Sequence, residues 1–191
     1  MIGFMPEIYP DELLYSRFTR YYERSGYMAY IFAAEDLFQN KNERPDVEFI
    51  NRLTQDAQSV IHKKMSADEV IMNHTMFPYY GRFLGKERRT EAYFALLNTD
   101  GNYRNLLPIP KAKRQRFLRY CPMCVNMDRD KYGETYWHRA HQMQSVDICP
   151  IHFCVLQNTD SAIGSTTSPR FSAAEDMIKD FEKIEVGEDE K

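Results

Sequence analysis

No stretch of the 191 residues approaches the roughly 20 consecutive apolar residues that a membrane-spanning helix needs. The opening MIGFMPEIYPDELL also lacks the basic region and apolar run of a secretory signal. The expectation is a cytoplasmic chain with no membrane partner. A phosphate-cradling glycine loop ending in Lys-Ser/Thr is missing too, which excludes nucleotide hydrolysis of the P-loop kind. No internal repeat is visible. A basic excess is absent as well: 25 Lys and Arg against 28 Asp and Glu leave a net charge of -3, which argues against a dedicated, tight DNA binder. Cysteine is scarce, with four in all, and every one falls between residues 121 and 154.

What is present is the composition of a folded soluble protein: 43% hydrophobic, 28% charged, with 13 Tyr and 12 Phe. The length suits one ordinary domain, or two small units that would need outside stabilisation.

Apolar spacing reads mainly as α-helix. IYPDELLYSRFTRYYERSG predicts a helix with Pro10, Asp11 and Glu12 in its first turn, Leu14, Phe18, Tyr21 and Tyr22 on one face, and Gly26 as the stop. YMAYIFAAEDLFQ predicts a second helix. RPDVEFINRLTQDAQSVIHKK predicts a third, begun by Pro45 and Asp46, with Ile50, Leu53, Ala57, Val60 and Ile61 at helical spacing. Ser66 and Glu69 form a capping box for a fourth, so two helices meet across a short turn; an ordinary hairpin and a helix-turn-helix both stay open. Pro78 and Gly81 break the pattern beside His74, which reads as a half-buried histidine bonded to backbone. ERRTEAYFALLN then predicts a further helix. LLPIPKAK is a proline-punctuated connection, NTDSAIGSTTSP reads as a flexible linker, and SAAEDMIKDFEKIEV as a capped amphipathic helix with Met177, Ile178, Phe181 and Ile184 on one side. The resulting division is a helical unit over 1–110, a small zinc-finger module over 111–157, and a linker, helix and acidic tail over 158–191.

The cysteines carry the sharpest signal. Cys121 and Cys124 form a C-P-x-C knuckle and, after 24 intervening residues, Cys149 and His152 form a C-P-x-H knuckle. A disulfide pair, a catalytic metal and a structural zinc clip are the three readings. A reducing compartment disfavours the first, and a closed Cys3His set leaves no position for the water a hydrolytic zinc requires. One structural Zn2+ held by Cys121, Cys124, Cys149 and His152 is therefore expected; Cys154, two residues after His152, is the alternative fourth ligand, with packing as a small apolar group its expected role. Arg119, Tyr120 and Trp137 are expected to flank the site. His138 and His141 support a rival reading, a metal-dependent nuclease, but no carboxylate pair accompanies them at acid/base spacing; packing or support behind the ligands is the expected role.

Charge is segregated: residues 81–120 hold ten Lys and Arg against three Asp and Glu, and residues 171–191 three against eight. The basic run peaks at Lys111, Lys113, Arg114 and Arg116, which are expected to make weak, sequence-tolerant phosphate contacts with DNA.

The Pro-Asp-Glu-Leu-Leu-Tyr-Ser opening, HTMFPYYGRFL and RYCPMCVNMDRDKYGETYWHRAHQMQSVDICPIHFCVL stand in an order and spacing across residues 6–156 that resemble the TniQ family. The resemblance implies a non-enzymatic adaptor in Tn7-like DNA transposition: a helical unit, often helix-turn-helix-like, followed by zinc-finger modules. Such adaptors link a chosen target site to an AAA+ ATPase regulator of the TnsC or TniB kind. Some members recognise DNA directly and others ride on an RNA-guided CRISPR complex. The resemblance places the family's zinc ligands at Cys121, Cys124, Cys149 and His152. Many relatives continue into further zinc-finger regions where this chain turns acidic. For docking on the ATPase, the segment Ile8 to Tyr22 has the aromatic and arginine density of interface hot spots, with Tyr9, Arg17 and Arg20 as the expected contacts.

Overall fold

The computed structural model describes residues 2–98, 103–109, 116–163 and 170–179. Helices dominate: α1 (Leu14–Ser25), α2 (Tyr30–Leu37), α3 (Gln55–His62), α4 (Ala67–His74), α5 (Phe77–Gly81), α6 (Lys86–Leu97) and α7 (Tyr103–Leu106) precede a strand β1 (Phe117–Tyr120); α8 (Pro122–Tyr132), β2 (Gln157–Ala162) and α9 (Ala174–Met177) follow.

The first helix starts later than its proline suggests. Asp11 adopts φ 54 and Glu12 pairs with His138 as an isolated bridge, while the Leu13 amide donates to the Trp137 carbonyl at 3.0 Å. Tertiary pairing therefore takes the backbone groups that a helical turn at Pro10 would use. Gly26, at φ 71, ends the helix as expected. Leu14, Phe18 and Tyr21 are buried and Tyr22 is half-buried, but Ser16, Arg17, Thr19 and Arg20 are buried as well, because α1 is enclosed on every side as far as Tyr21.

The third predicted helix is halved. Residues 45–54 are irregular: the Asp46 carboxylate accepts the Glu48 and Phe49 amides at 3.0 and 3.1 Å, and Asn51 Oδ1 accepts the Asp46 amide at 2.6 Å. These local side-chain bonds outcompete helix formation. Phe49, Ile50 and Leu53 are buried all the same, with Leu53 bridged to Phe38. Thr54 then caps α3 by accepting the Ala57 amide at 3.1 Å. The Ser66–Glu69 capping box is present at α4. Asp68 and Glu69 occupy its first turn, and Lys63 and Lys64 the turn before it.

The expected linker is a strand in its first part. β2 pairs antiparallel with β1, Phe117 opposite Ala162 and Tyr120 opposite Gln157, with an irregularity between Phe117 and Arg119. The 157/158 division thus falls inside β2, and the 110/111 division lies outside the described residues. One core unites Leu14, Phe18, Phe38 and Phe77 of the helical part with Leu118, Val125, Trp137, Phe171 and Ile178 beyond it. Of the last predicted helix, α9 is described, begun at Ala173 without a side-chain cap; Phe181 and Ile184 lie outside the described residues.

Candidate metal centre

Two local structures deliver the four ligand atoms. β1 runs into Cys121, the N-cap of α8, with Pro122 at the first helical position, where a missing N–H costs nothing. This puts Cys124 in the first turn with its amide donating to Cys121 Sγ at 3.4 Å. The second knuckle is a hairpin closed by the Ile148–Val155 bridge and by the Cys149 amide on the Cys154 carbonyl at 2.8 Å. Phe153 turns it at φ 55. Cys149 Sγ there accepts the Ile151 and His152 amides at 3.4 and 3.5 Å.

The donor atoms of Cys121, Cys124, Cys149 and His152 all lie within 4.8 Å of one another, the three thiols buried and the imidazole half-buried. His152 Nδ1 is 3.5 Å from Cys121 Sγ, 3.2 Å from Cys124 Sγ and 3.9 Å from Cys149 Sγ, and Cys124 Sγ is 3.7 Å from Cys149 Sγ. A tetrahedral zinc with ordinary Zn–S and Zn–N lengths has edges of about 3.5 Å between sulfur and nitrogen and about 3.8 Å between sulfurs. The residues fit that ion. The hydrogen bond between Cys124 and Cys121 pulls the Cys121 thiol down to about 4 and pushes that of Cys124 up, so the metal-free pair shares one thiolate.

Cys154 stands aside from this set, its Sγ 3.2 Å from Cys121 Sγ. Burial, and then the hydrogen bond to Cys121, push its thiol up to about 12, so it remains an S–H donor to Cys121. His141, in a 3-10 turn at Ala140–Gln142, reaches Cys124 Sγ with Nε2 at 3.7 Å, and burial drives its imidazole down to about 3. His138 is bonded to Asp128 Oδ2 at 2.8 Å and stacks on Tyr136 at 4.2 Å. Arg119 is tied to the Met143 carbonyl and to Asp147, and Tyr120 to Gln157. Trp137 is fully buried, its indole N–H on the Ser172 carbonyl at 2.6 Å. His74 Nδ1 donates to the Glu12 carbonyl, 2.7 Å away, as its sequence context suggests.

The other predicted site residues are not brought to this centre. Lys111, Lys113 and Arg114 lie outside the described residues. Arg116 is half-buried and engaged in an ion pair, both of its terminal nitrogens holding Glu48 Oε1 at 3.1 Å. Arg17 and Arg20 were expected at the surface, yet each is only 3% exposed. Arg20 clamps Glu12 at 2.9 and 2.7 Å and Glu134 at 2.9 Å, under the ring of Tyr9, whose hydroxyl donates to Glu134 at 2.9 Å. Arg17 Nε donates to the Pro6 carbonyl at 2.7 Å. Their charge serves an internal network, because Glu12 is itself fully buried and demands a counter-ion. Sequence reasoning missed Glu12, Asp128 and Glu134, whose partners lie up to 125 residues away. No local pattern signals them.

The TniQ family model matches residues 4–156, a span that contains all four clustered ligands. The Escherichia coli protein described as transposon Tn7 transposition protein TnsD is 28% identical over 152 residues, covering 77% of this chain. The matched region spans 30% of that relative's length. The chain belongs to the TniQ family.

Proposed function

We propose that this chain is a zinc-stapled adaptor in Tn7-like transposition: it takes part in target selection and relays the chosen site to an AAA+ ATPase regulator, without bond chemistry of its own. The observation that carries this reading is the family match over residues 4–156 with a four-donor metal cluster inside it. The role of the metal is structural. Zinc held by Cys121, Cys124, Cys149 and His152 would lock β1, α8 and the hairpin together, supplying folding free energy on the order of 10 kcal/mol as in other small zinc modules. The four ligands close the shell, so a hydrolytic water has no position. Phosphate contacts fall to Lys111, Lys113 and Arg114, without Arg116, and would be non-specific and salt-sensitive.

The test uses the purified full chain. One zinc per chain is expected, lost in Cys121→Ser and Cys149→Ser and kept in Cys154→Ser, together with co-purification of the ATPase regulator. Replacing Lys111, Lys113 and Arg114 by Ala should flatten the salt dependence of DNA retention. Divalent-ion-dependent DNA cleavage by the chain alone would favour the nuclease reading and defeat this one.

A further inference from the structure

A zinc shell of three thiolates and one neutral imidazole carries a net negative charge, and burying it requires hydrogen-bond donors aimed at the sulfurs. The knuckles supply them unequally. Cys149 Sγ accepts two backbone amides, from Ile151 and His152, and Cys121 Sγ accepts the Cys124 amide and faces the Cys154 thiol. Cys124, second in its knuckle and buried, has no backbone amide among its described partners. Its other neighbours, Cys149 and His152, are ligands themselves and cannot donate once bound. The one remaining group at hydrogen-bond distance among the described residues is His141 Nε2, at 3.7 Å.

We propose that His141 donates its Nε2–H to the Cys124 thiolate and so holds that sulfur in place as a zinc ligand. A ligating thiolate can only accept, which fixes the proton on Nε2. The imidazole is set in position beforehand. Asp11 Oδ2 accepts the Ala140 amide at 2.9 Å at the start of its turn, and the ring lies 4.6 Å from that of His138, which Asp128 anchors in turn. His141 is a positioning residue and not a ligand: it stands outside the four clustered donors. Asp11 belongs to the segment leading into α1, so this contact ties the orientation of a metal ligand to the N-terminal helical part.

The inference rests on the zinc reading above, and the experiment separates the two. Full-length wild-type chain, His141→Phe and His141→Gln are compared by zinc affinity in chelator competition and by the thiolate-to-metal charge-transfer bands of the cobalt(II)-substituted chain. Loss of the N–H is expected to weaken zinc about 10-fold or more, the range for partners behind a ligand. It should also move the charge-transfer bands to lower energy, because a thiolate stripped of its donor is easier to oxidise. His141→Gln, which keeps an N–H, should recover much of both. A group that only fills space would leave the cobalt bands unmoved, and unchanged bands in His141→Phe overturn the proposal while the zinc reading stands. Identical losses in the Phe and Gln variants overturn it as well. Wild-type chain that takes up no zinc overturns both. If the Phe variant fails to fold, His141→Met serves the same comparison.

Discussion

At the scale of single residues, the arginines show how composition misleads about exposure. Arg20 looks like an interface residue in a segment rich in Tyr and Arg, yet it neutralises the buried Glu12 and shares Glu134 with Tyr9 and Arg24. Removing one member of such a buried pair leaves the other charge uncompensated. Arg20→Met is therefore expected to cost about 3 to 5 kcal/mol in denaturant unfolding. A loss of partner binding in that variant would report unfolding and not a docking surface. His74 offers a pH test. Burial holds its imidazole below the ordinary value of 6.5, with Arg139, Arg17 and Asp11 as the charged groups facing it. The unfolded chain takes up a proton near 6.5 that the folded one resists, so this contribution is full above that pH and declines as pH falls toward the folded value. His74→Gln should flatten the thermal stability profile between about pH 7 and 5, the window just around the unperturbed imidazole value.

At the scale of elements, ends and caps were readable where the chemistry is local. Gly26 and the Ser66–Glu69 box are each satisfied within a few residues, so their signals survive in the fold. The failures share a cause: at 45–54 and 158–162 the backbone finds partners that helical or linker patterns do not encode. β2, with the sequence QNTDSA, has little intrinsic strand preference. It is a strand because β1 lies beside it and Thr159 donates its hydroxyl to the Leu118 carbonyl at 2.9 Å. A cap prediction can be made for α8, which ends at Gly133 in the left-handed region at φ 80, where an added Cβ would meet nothing within 4 Å. Gly133→Ala should then cost about 1 kcal/mol from backbone conformation alone, measurable by urea titration, with zinc content unchanged.

For the whole molecule, the part that carries the Cys/His cluster and the helical part share one hydrophobic core. Segment 10–13 and segment 136–140 are stitched together: the Tyr136 hydroxyl donates to the Pro10 carbonyl at 3.0 Å, the Arg139 amide to the Asp11 carbonyl at 2.7 Å, and Trp137 fills the shared core. The region after residue 156 closes that core, since Ser172 receives the Trp137 indole and gives its amide to the Tyr15 hydroxyl at 3.0 Å. A chain cut after residue 156 retains every candidate ligand and the full family match, yet it should lose cooperative thermal unfolding and become sensitive to protease. Cooperative melting of the cut chain at the wild-type temperature would mean that β2 and α9 contribute little.

The sequence by itself determined the helical class, the Gly26 stop, the Ser66–Glu69 capping box and the four clustered Cys/His donors. Each of these is written in short-range spacing: a 3.6-residue period, a three-residue box, two knuckles whose bite is set within four residues. Tertiary structure alone decided which charges are buried, where β2 pairs, and that His141 faces Cys124. Those outcomes depend on contacts between segments far apart in the chain, as when Arg20 meets Glu134 across 114 residues. Burial changes the cost of a charge by several kcal/mol, and no local pattern records which side chains the fold will enclose.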